Sequence, residues 1–245
     1  MVYDRWELQV PEHIANWDTW TYWERPRFDS IAANMKWGDV LIDVGAEHGW
    51  LSALFARYIV GGDAMILVEP SPELWRNVRL TWEANRLATP RACLWAFADR
   101  PNRATIDTDA LILGGWPAPA LSSDEECPAM AYRNLREPGV IPSVAIDDLV
   151  DLAVPPGYIG DHRRLAINMD IDGPELRAIQ GAKRTIETLR PLCWISIHDD
   201  LIREYGDDPD DIFDFFSDLR YDHRHLGTDH ERHELFYDAT RRVTF

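Results

Sequence analysis

The run Val40-Leu-Ile-Asp-Val44 ends directly against Gly45-Ala-Glu-His-Gly49. An apolar run this short, without polar alternation, reads as a strand buried on both faces, and such strands belong to parallel sheets covered by helices on both sides. The glycines call for a tight turn. Trp50 to Val60 then repeats apolar residues at helical spacing (Leu51, Leu54, Phe55, Tyr58) until Gly61-Gly62 stops it.

The same unit recurs along the chain. Ala64-Met-Ile-Leu-Val68 is a second buried strand, and Ser71 as N-cap with Pro72 in the first turn opens a helix to about Asn85. Ala92–Ala98 is a third strand. Val144–Leu149 leads into a fourth, Leu165–Asp170, and Pro174–Leu189 forms one helix with an apolar stripe of Leu176, Ile179, Ala182 and Ile186. Leu192–His198 is the fifth strand and Asp211–Leu219 an amphipathic helix. Tyr221–Leu226 and Glu234–Ala239 close the chain as an antiparallel pair around a turn at Gly227–Asp229. The alternation predicts an α/β, Rossmann-like doubly wound, mostly parallel sheet with a C-terminal antiparallel hairpin.

Two stretches break this rhythm. Residues 1–37 are rich in tryptophan (Trp6, Trp17, Trp20, Trp23, Trp37), with a helix expected from Asp18 to Met35 and interrupted by Pro26, and they read as a cap or lid on a main domain of residues 38–245. Residues 99–143 are proline-rich and mostly loop, with short strands at Ala104–Asp107 and Ala110–Leu113; a loop of this length in a compact domain is usually functional or mobile.

Charge narrows the partners. Among 245 residues, 42 are acidic and 25 are Lys or Arg, a formal charge of −17, which repels nucleic acid and anionic membranes. No apolar run of ~18 residues offers a membrane span, and the charged start is unlike a signal peptide. Cys93, Cys127 and Cys193 show no ligand spacing, so reduced thiols and a cytoplasmic location are expected.

The joint of first strand and helix points to a ligand. Gly45 and Gly49, with Glu47 between them, let a ligand approach the backbone, and the helix N-terminus supplies donors and a positive field. Glu69, at the end of the second strand, is placed to accept hydrogen bonds from ribose hydroxyls. The spacing is GxxxG rather than the GxGxxG of dinucleotide folds, and the carboxylate of Asp43 suits a ligand with nearby positive charge. S-adenosylmethionine, with its ammonium and sulfonium, is such a ligand. A nicotinamide oxidoreductase is disfavoured on the same spacing.

Four stretches together resemble the FkbM-type family of S-adenosylmethionine-dependent methyltransferases: LIDVGAEHG at 41–49, VEPSPELWRNVRLTWEAN at 68–85, VAIDDLV at 144–150, and INMDIDGPELRAIQGAKRTIETLRPLCWISIH at 167–198. The resemblance implies a class I methyltransferase fold and O-methylation of a small molecule, sugar or glycan. It also implies an adenine contact at Asp99. Asp43, Gly45, Gly49, Glu69, Asp170, Gly173, Glu175 and His198 fit the family pattern. Glu47 stands in place of Asn, Asn168 in place of Lys, Asp172 in place of Glu, and Ser196 in place of the Glu of E-x-H. Asn168 and Ser196 also motivate a competing reading, a cofactor-binding protein of the same fold without turnover.

Asp170 and His198 end two strands expected to be neighbours, so they are expected at one site on the acceptor hydroxyl. Either His198 serves as base near its ordinary pKa of ~6.5, oriented by Asp170, or Asp170, Asp172, Glu175 and His198 hold a divalent cation such as Mg²⁺ or Mn²⁺. The bland alternative is that Asp172 and Glu175 only cap the helix. His223, His225, His230 and His233 fall in the hairpin and read as solvated surface, as do the nine acidic residues of 199–218. Asp147-Asp148 reads as a cap for the short helix that follows.

Overall fold

The structure, a computed structural model, describes residues 2–3, 6–12, 24–100, 110–121 and 143–244. Trp17, Trp20, Trp23, Cys127, the expected strand Ala104–Asp107 and most of the 99–143 loop lie outside the described residues.

Among those residues the main sheet has eight strands: β1 (Val40–Val44), β2 (Met65–Val68), β3 (Ala92–Leu94), β4 (Leu111–Leu113), β5 (Leu165–Met169), β6 (Leu192–Ile197), β7 (Tyr221–Thr228) and β8 (Arg232–Asp238). Their spatial order is β7-β8-β6-β5-β1-β2-β3-β4. β6, β5, β1, β2 and β3 run parallel, while β8 inserts antiparallel beside β6 and β4 pairs antiparallel with β3. The chain is therefore an α/β doubly wound, mostly parallel sheet.

Strand alternation divides the core in two. Val40, Ile42 and Val44 of β1 join Ile167, Ile195 and the residues of α4 (Ile146–Ala153), α5 (Glu175–Gln180) and α6 (Lys183–Leu189) on one face. Leu41, Leu67, Trp194 and Leu235 face α1 (Arg25–Asn34), α2 (Trp50–Phe55) and α3 (Leu74–Ala84) on the other. Toward the carboxyl ends of the strands this second face turns polar. Asp43 pairs in register with Asn168, and Ser196 with His233. Apolar burial thus fixes the sheet, and the same alternation carries a row of polar side chains beneath α1.

Several boundaries differ from expectation for identifiable reasons. Pro26 starts α1 rather than interrupting it, since a first-turn proline lacks only an N–H that has no helical partner there. The helix after Gly49 is α-helical only to Phe55 and widens to π-type turns through Val60. Ser71 caps nothing by side chain; its hydroxyl donates to Glu73. The third strand stops at Leu94, and Phe97–Ala98 pairs separately with Ser143–Val144. The helix expected over 174–189 breaks at Gly181, where a Cβ would sit 1.9 Å from the carbonyl oxygen of Asp99. Asp147 caps not its own helix but α6, accepting from the N–H groups of Arg184 (3.0 Å) and Thr185 (2.8 Å). The hairpin turn falls at 229–231, beyond Gly227, which lies within β7 at an irregularity. No helix among the described residues is long and apolar enough to cross a membrane.

Candidate active site

The site lies at the carboxyl ends of β1, β5 and β6, beneath α1. Arg27, on the inner face of α1, is 2% exposed. Its Nη1 donates to Ser196 Oγ (2.7 Å) and its Nη2 to Asp170 Oδ2 (2.9 Å), and it pairs with Glu24 one turn earlier. Burial alone would lower the guanidinium pKa, but Glu24 and Asp170 outweigh it and hold the charge firmly. Burial would raise the Asp170 carboxyl; Arg27 and His198 overcome this and hold it below the usual carboxylate range. Burial pushes the Glu24 carboxyl well up, with Arg27 only partly opposing.

Asn168 donates to Asp43 Oδ1 (2.6 Å), and Ser52 donates to the other oxygen of Asp43. The positions where the family pattern has Lys and Glu thus hold an amide and a hydroxyl. The cation at this point is Arg27, reaching in from α1. Ser196 Oγ also lies 3.0 Å from His233 Nδ1, and His233 Nε2 lies 3.0 Å from Asp229 Oδ2. With Ser196 donating to Nδ1 and Nε2–H donating to Asp229, His233 is neutral, in keeping with a pKa lowered by burial and by Arg27. His233 is fully buried, which corrects the surface reading of the hairpin histidines; His223 and His225 are exposed.

His198 sits among carboxylates. Its Nδ1 is 2.6 Å from Glu175 Oε1, while its Nε2 faces Glu231 Oε2 (3.0 Å), Asp172 Oδ1 (3.2 Å) and Asp170 Oδ1 (3.5 Å). Burial works against the imidazolium, but contacts with Glu175, Glu231 and Asp170 push its pKa up to about 11. This corrects the expectation of a base near 6.5: without a competing cation, His198 is protonated at neutral pH and can only donate. Glu175 is completely buried and does more than cap α5, accepting from the Gly173 N–H (3.1 Å) while holding the imidazole. Asp172 is in left-handed backbone (φ 56°) with its side chain more than half exposed, which turns it to the same imidazole edge.

The cofactor-side residues divide. Glu69 is buried, its Oε1 accepting from Ser71 N–H (2.7 Å) and its Oε2 from Glu47 N–H (2.9 Å); burial pushes its pKa up to about 8 against those two donors. Gly45 and Gly49 have positive φ, but their missing Cβ atoms make room for the protein itself. A Cβ on Gly45 would lie 1.8 Å from the Asp170 carbonyl oxygen, and one on Gly49 2.8 Å from Val78 Cα. The missing Cβ atoms thus serve packing, while Gly45 also lies on the wall of the cavity at the site. Asp99 accepts from the adjacent Arg100 N–H (2.7 Å) and is fastened by its own N–H to Val144 (3.0 Å). It does not line the cavity at the site.

That cavity, about 50 Å³, is bounded by four carboxylates (Glu24, Asp43, Glu47, Asp170) against one guanidinium, with Trp50 and Asn168 among the other walls. The donor set fits a positively charged ligand group and opposes a pyrophosphate. Sequence reasoning missed Glu24, Arg27, Asp229, Glu231 and His233.

Residues 43–223 match the methyltransferase FkbM domain family. No curated protein matches the chain in sequence. Among solved structures, methyltransferase FkbM from Methylobacillus flagellatus is 18% identical with a TM-score of 0.48, covering 82% of this chain and 44% of its own. The chain thus spans less than half the length of that protein. Precorrin-6y C5,15-methyltransferase from Geobacter metallireducens is 10% identical (TM-score 0.48) with 95% of both chains covered. Aeropyrum pernix fibrillarin, solved with natively bound S-adenosyl-L-methionine, is 13% identical (TM-score 0.43), covering 82% of this chain and 67% of its own.

Proposed function

The chain belongs to the FkbM methyltransferase family, and on that premise we propose that it methylates a hydroxyl oxygen of a small-molecule, sugar or glycan acceptor. The observation that carries this reading is the meeting of two groups at one sheet end. A carboxylate-rich cavity under Arg27 adjoins the Asp170–His198 contact, and Asp170 belongs to both.

S-adenosylmethionine, when bound, supplies a methyl group made electrophilic by its sulfonium sulfur. Asp43 and Glu47 would hold its positively charged end and Glu69 its ribose hydroxyls. At about 50 Å³ the cavity is well below the ~300 Å³ at which ligand sites begin, so it admits one end of the cofactor and leaves the nucleoside to the rim beside Glu69. Asp170 and His198 hold the acceptor hydroxyl. As the oxygen gains its methyl group its proton becomes strongly acidic, so a neighbouring carboxylate suffices to take it, and His198 orients the hydroxyl for that transfer. The formal charge of −17 favours a neutral or cationic acceptor over a nucleic acid. Two buried, unpaired thiols, Cys93 and Cys193, accord with a cytoplasmic location.

Calorimetric titration with S-adenosylhomocysteine and with NAD separates this reading from an oxidoreductase: only the first should bind. Conversion of S-adenosylmethionine in the presence of a carbohydrate panel separates an enzyme from a binding protein. Tight S-adenosylhomocysteine binding without methyl transfer to any hydroxyl acceptor would favour the binding protein.

A further inference from the structure

We propose that Asp170, His198 and Glu231 bind one divalent cation of the Mn²⁺ type, with Asp172 at its rim and Glu175 orienting the imidazole. The inference rests on the methyltransferase reading for what the cation does, and on geometry for where it sits.

Glu175 fixes the tautomer of His198. Its carboxylate oxygen, 2.6 Å from His198 Nδ1, can only accept, so the ring hydrogen sits on Nδ1. Nε2 then points at oxygens of Asp170, Asp172 and Glu231, all within 3.5 Å and all acceptors. One hydrogen on Nε2 can serve only one of the three well. A cation in the same space serves all of them, and a carboxylate behind the far ring nitrogen is the usual way a metal-bound histidine is held.

Ligand atoms of Asp170, His198 and Glu231 lie within 4.8 Å of one another, a spread that bonds of ~2.0–2.6 Å to a common ion can span. Asp170 is already divided between two tasks: Oδ2 is taken by Arg27, and Oδ1 remains for the ion. Glu231 gives the independent sign. It is 4% exposed, and neither carboxylate oxygen accepts a hydrogen bond from backbone or hydroxyl among the described residues. Its near neighbours are the imidazole nitrogens of His198 and His230, the latter at 2.6 Å.

One imidazole with two or three carboxylates is a mixed nitrogen and oxygen set. It suits Mn²⁺ better than Ca²⁺ or Mg²⁺, which take oxygen alone, and it lacks the thiolates or multiple imidazoles of zinc sites. In the methylation reading the ion, when bound, would supply Lewis-acid polarisation of the acceptor hydroxyl in place of a proton on Nε2.

The test is titration of the chelator-stripped whole chain with MnCl₂, followed by calorimetry and by pulsed electron paramagnetic resonance. The expected result is one tight equivalent with coupling to a single imidazole nitrogen. Glu231→Gln should weaken Mn²⁺ at least tenfold, and His198→Gln should remove the nitrogen coupling. No tight equivalent, no nitrogen coupling in the unaltered chain, or full affinity in Glu231→Gln would overturn the site. If a variant does not fold, the unaltered chain's coupling still decides. S-adenosylhomocysteine, titrated separately, keeps the two ideas apart. Its binding without Mn²⁺ binding removes the cation site and leaves the methyltransferase reading, and Mn²⁺ binding without it does the reverse.

Discussion

Arg27 and Ser196 stand 169 residues apart in the chain, yet the guanidinium of one donates to the hydroxyl of the other at 2.7 Å inside the protein. The bond fastens the first long helix onto the polar end of the sheet, and it makes α1 a wall of the site. Replacing Arg27 with Met would leave Asp170 and Glu24 without their buried cation. A stability loss of about 3–5 kcal/mol is expected, read by urea unfolding as a lower midpoint at unchanged slope. Arg27→Lys should recover only part of it, because an ammonium cannot reach Ser196 and Asp170 with a planar fork. A midpoint unchanged in both variants would show that the pairing contributes nothing net.

How much of this was legible depended on the range of the physical cause. The strands of the sheet are local events: Val40–Val44 and Leu165–Met169 are apolar runs, and each declares itself within five residues. The nearness of Asp170 and His198 also followed from position, since each ends a strand and the strands are neighbours. What was hidden is the traffic across the face of the sheet. Nothing around Arg27 announces a buried partner at Ser196, and Glu231 comes into contact with His198 only because β8 folds back between β6 and β7. His233 escaped the surface reading for the same reason, while His223, His225 and His230 are exposed as expected: alternation along β8 shows which residues share a face, but which face is covered depends on α1.

Glu69 sets a pH dependence of stability. Its pKa is about 8 when folded against 4.5 ordinarily, so the unfolded chain binds fewer protons between those values and stability falls as pH rises through the window. The contribution is fully present below pH ~4.5 and lost by pH ~8. Glu69→Gln keeps the shape without the ionisation, and thermal unfolding from pH 4 to 9 should show a shallower decline than in the unaltered chain. Parallel declines would mean that Glu69 ionises normally.

The same carboxylate is assigned to the ribose hydroxyls. Glu69→Ala should weaken S-adenosylhomocysteine binding by roughly 1–3 kcal/mol, the scale for hydrogen bonds to a charged acceptor. Because hydroxyl donors favour the ionised form, binding near pH 7 should also release protons. Calorimetry in buffers of different ionisation enthalpy checks both, and equal affinity with no proton release would remove Glu69 from the cofactor.

Gly45→Val tests what the glycine loop does for packing. A side chain there meets the Asp170 carbonyl at 1.8 Å from its first atom, in left-handed backbone (φ 90°) that a branched residue rarely adopts. The expected outcome is a loss of soluble folded protein, or destabilisation beyond about 4 kcal/mol, rather than a folded chain that merely fails to bind cofactor. Circular dichroism and yield distinguish them. A variant with native stability and no S-adenosylhomocysteine binding would restore the simpler view of the loop as a ligand cradle.

Asp170 is the residue on which both halves of the site depend. Its Oδ2 neutralises Arg27 and its Oδ1 faces His198, so Asp170→Asn keeps the size and most hydrogen bonds while removing the charge. If Asp170 and His198 act on the acceptor hydroxyl, turnover at saturating cofactor should fall by ~10² or more, over and above any loss of cofactor affinity from the cavity wall. His198→Gln should fall comparably, and the double variant should fall little further, since groups acting on one proton are not additive. The readout is methyl transfer under saturating cofactor with the best acceptor of the carbohydrate panel. Independent, multiplicative losses would place the two side chains in separate tasks, and full turnover in either variant would move the chemistry elsewhere on the rim.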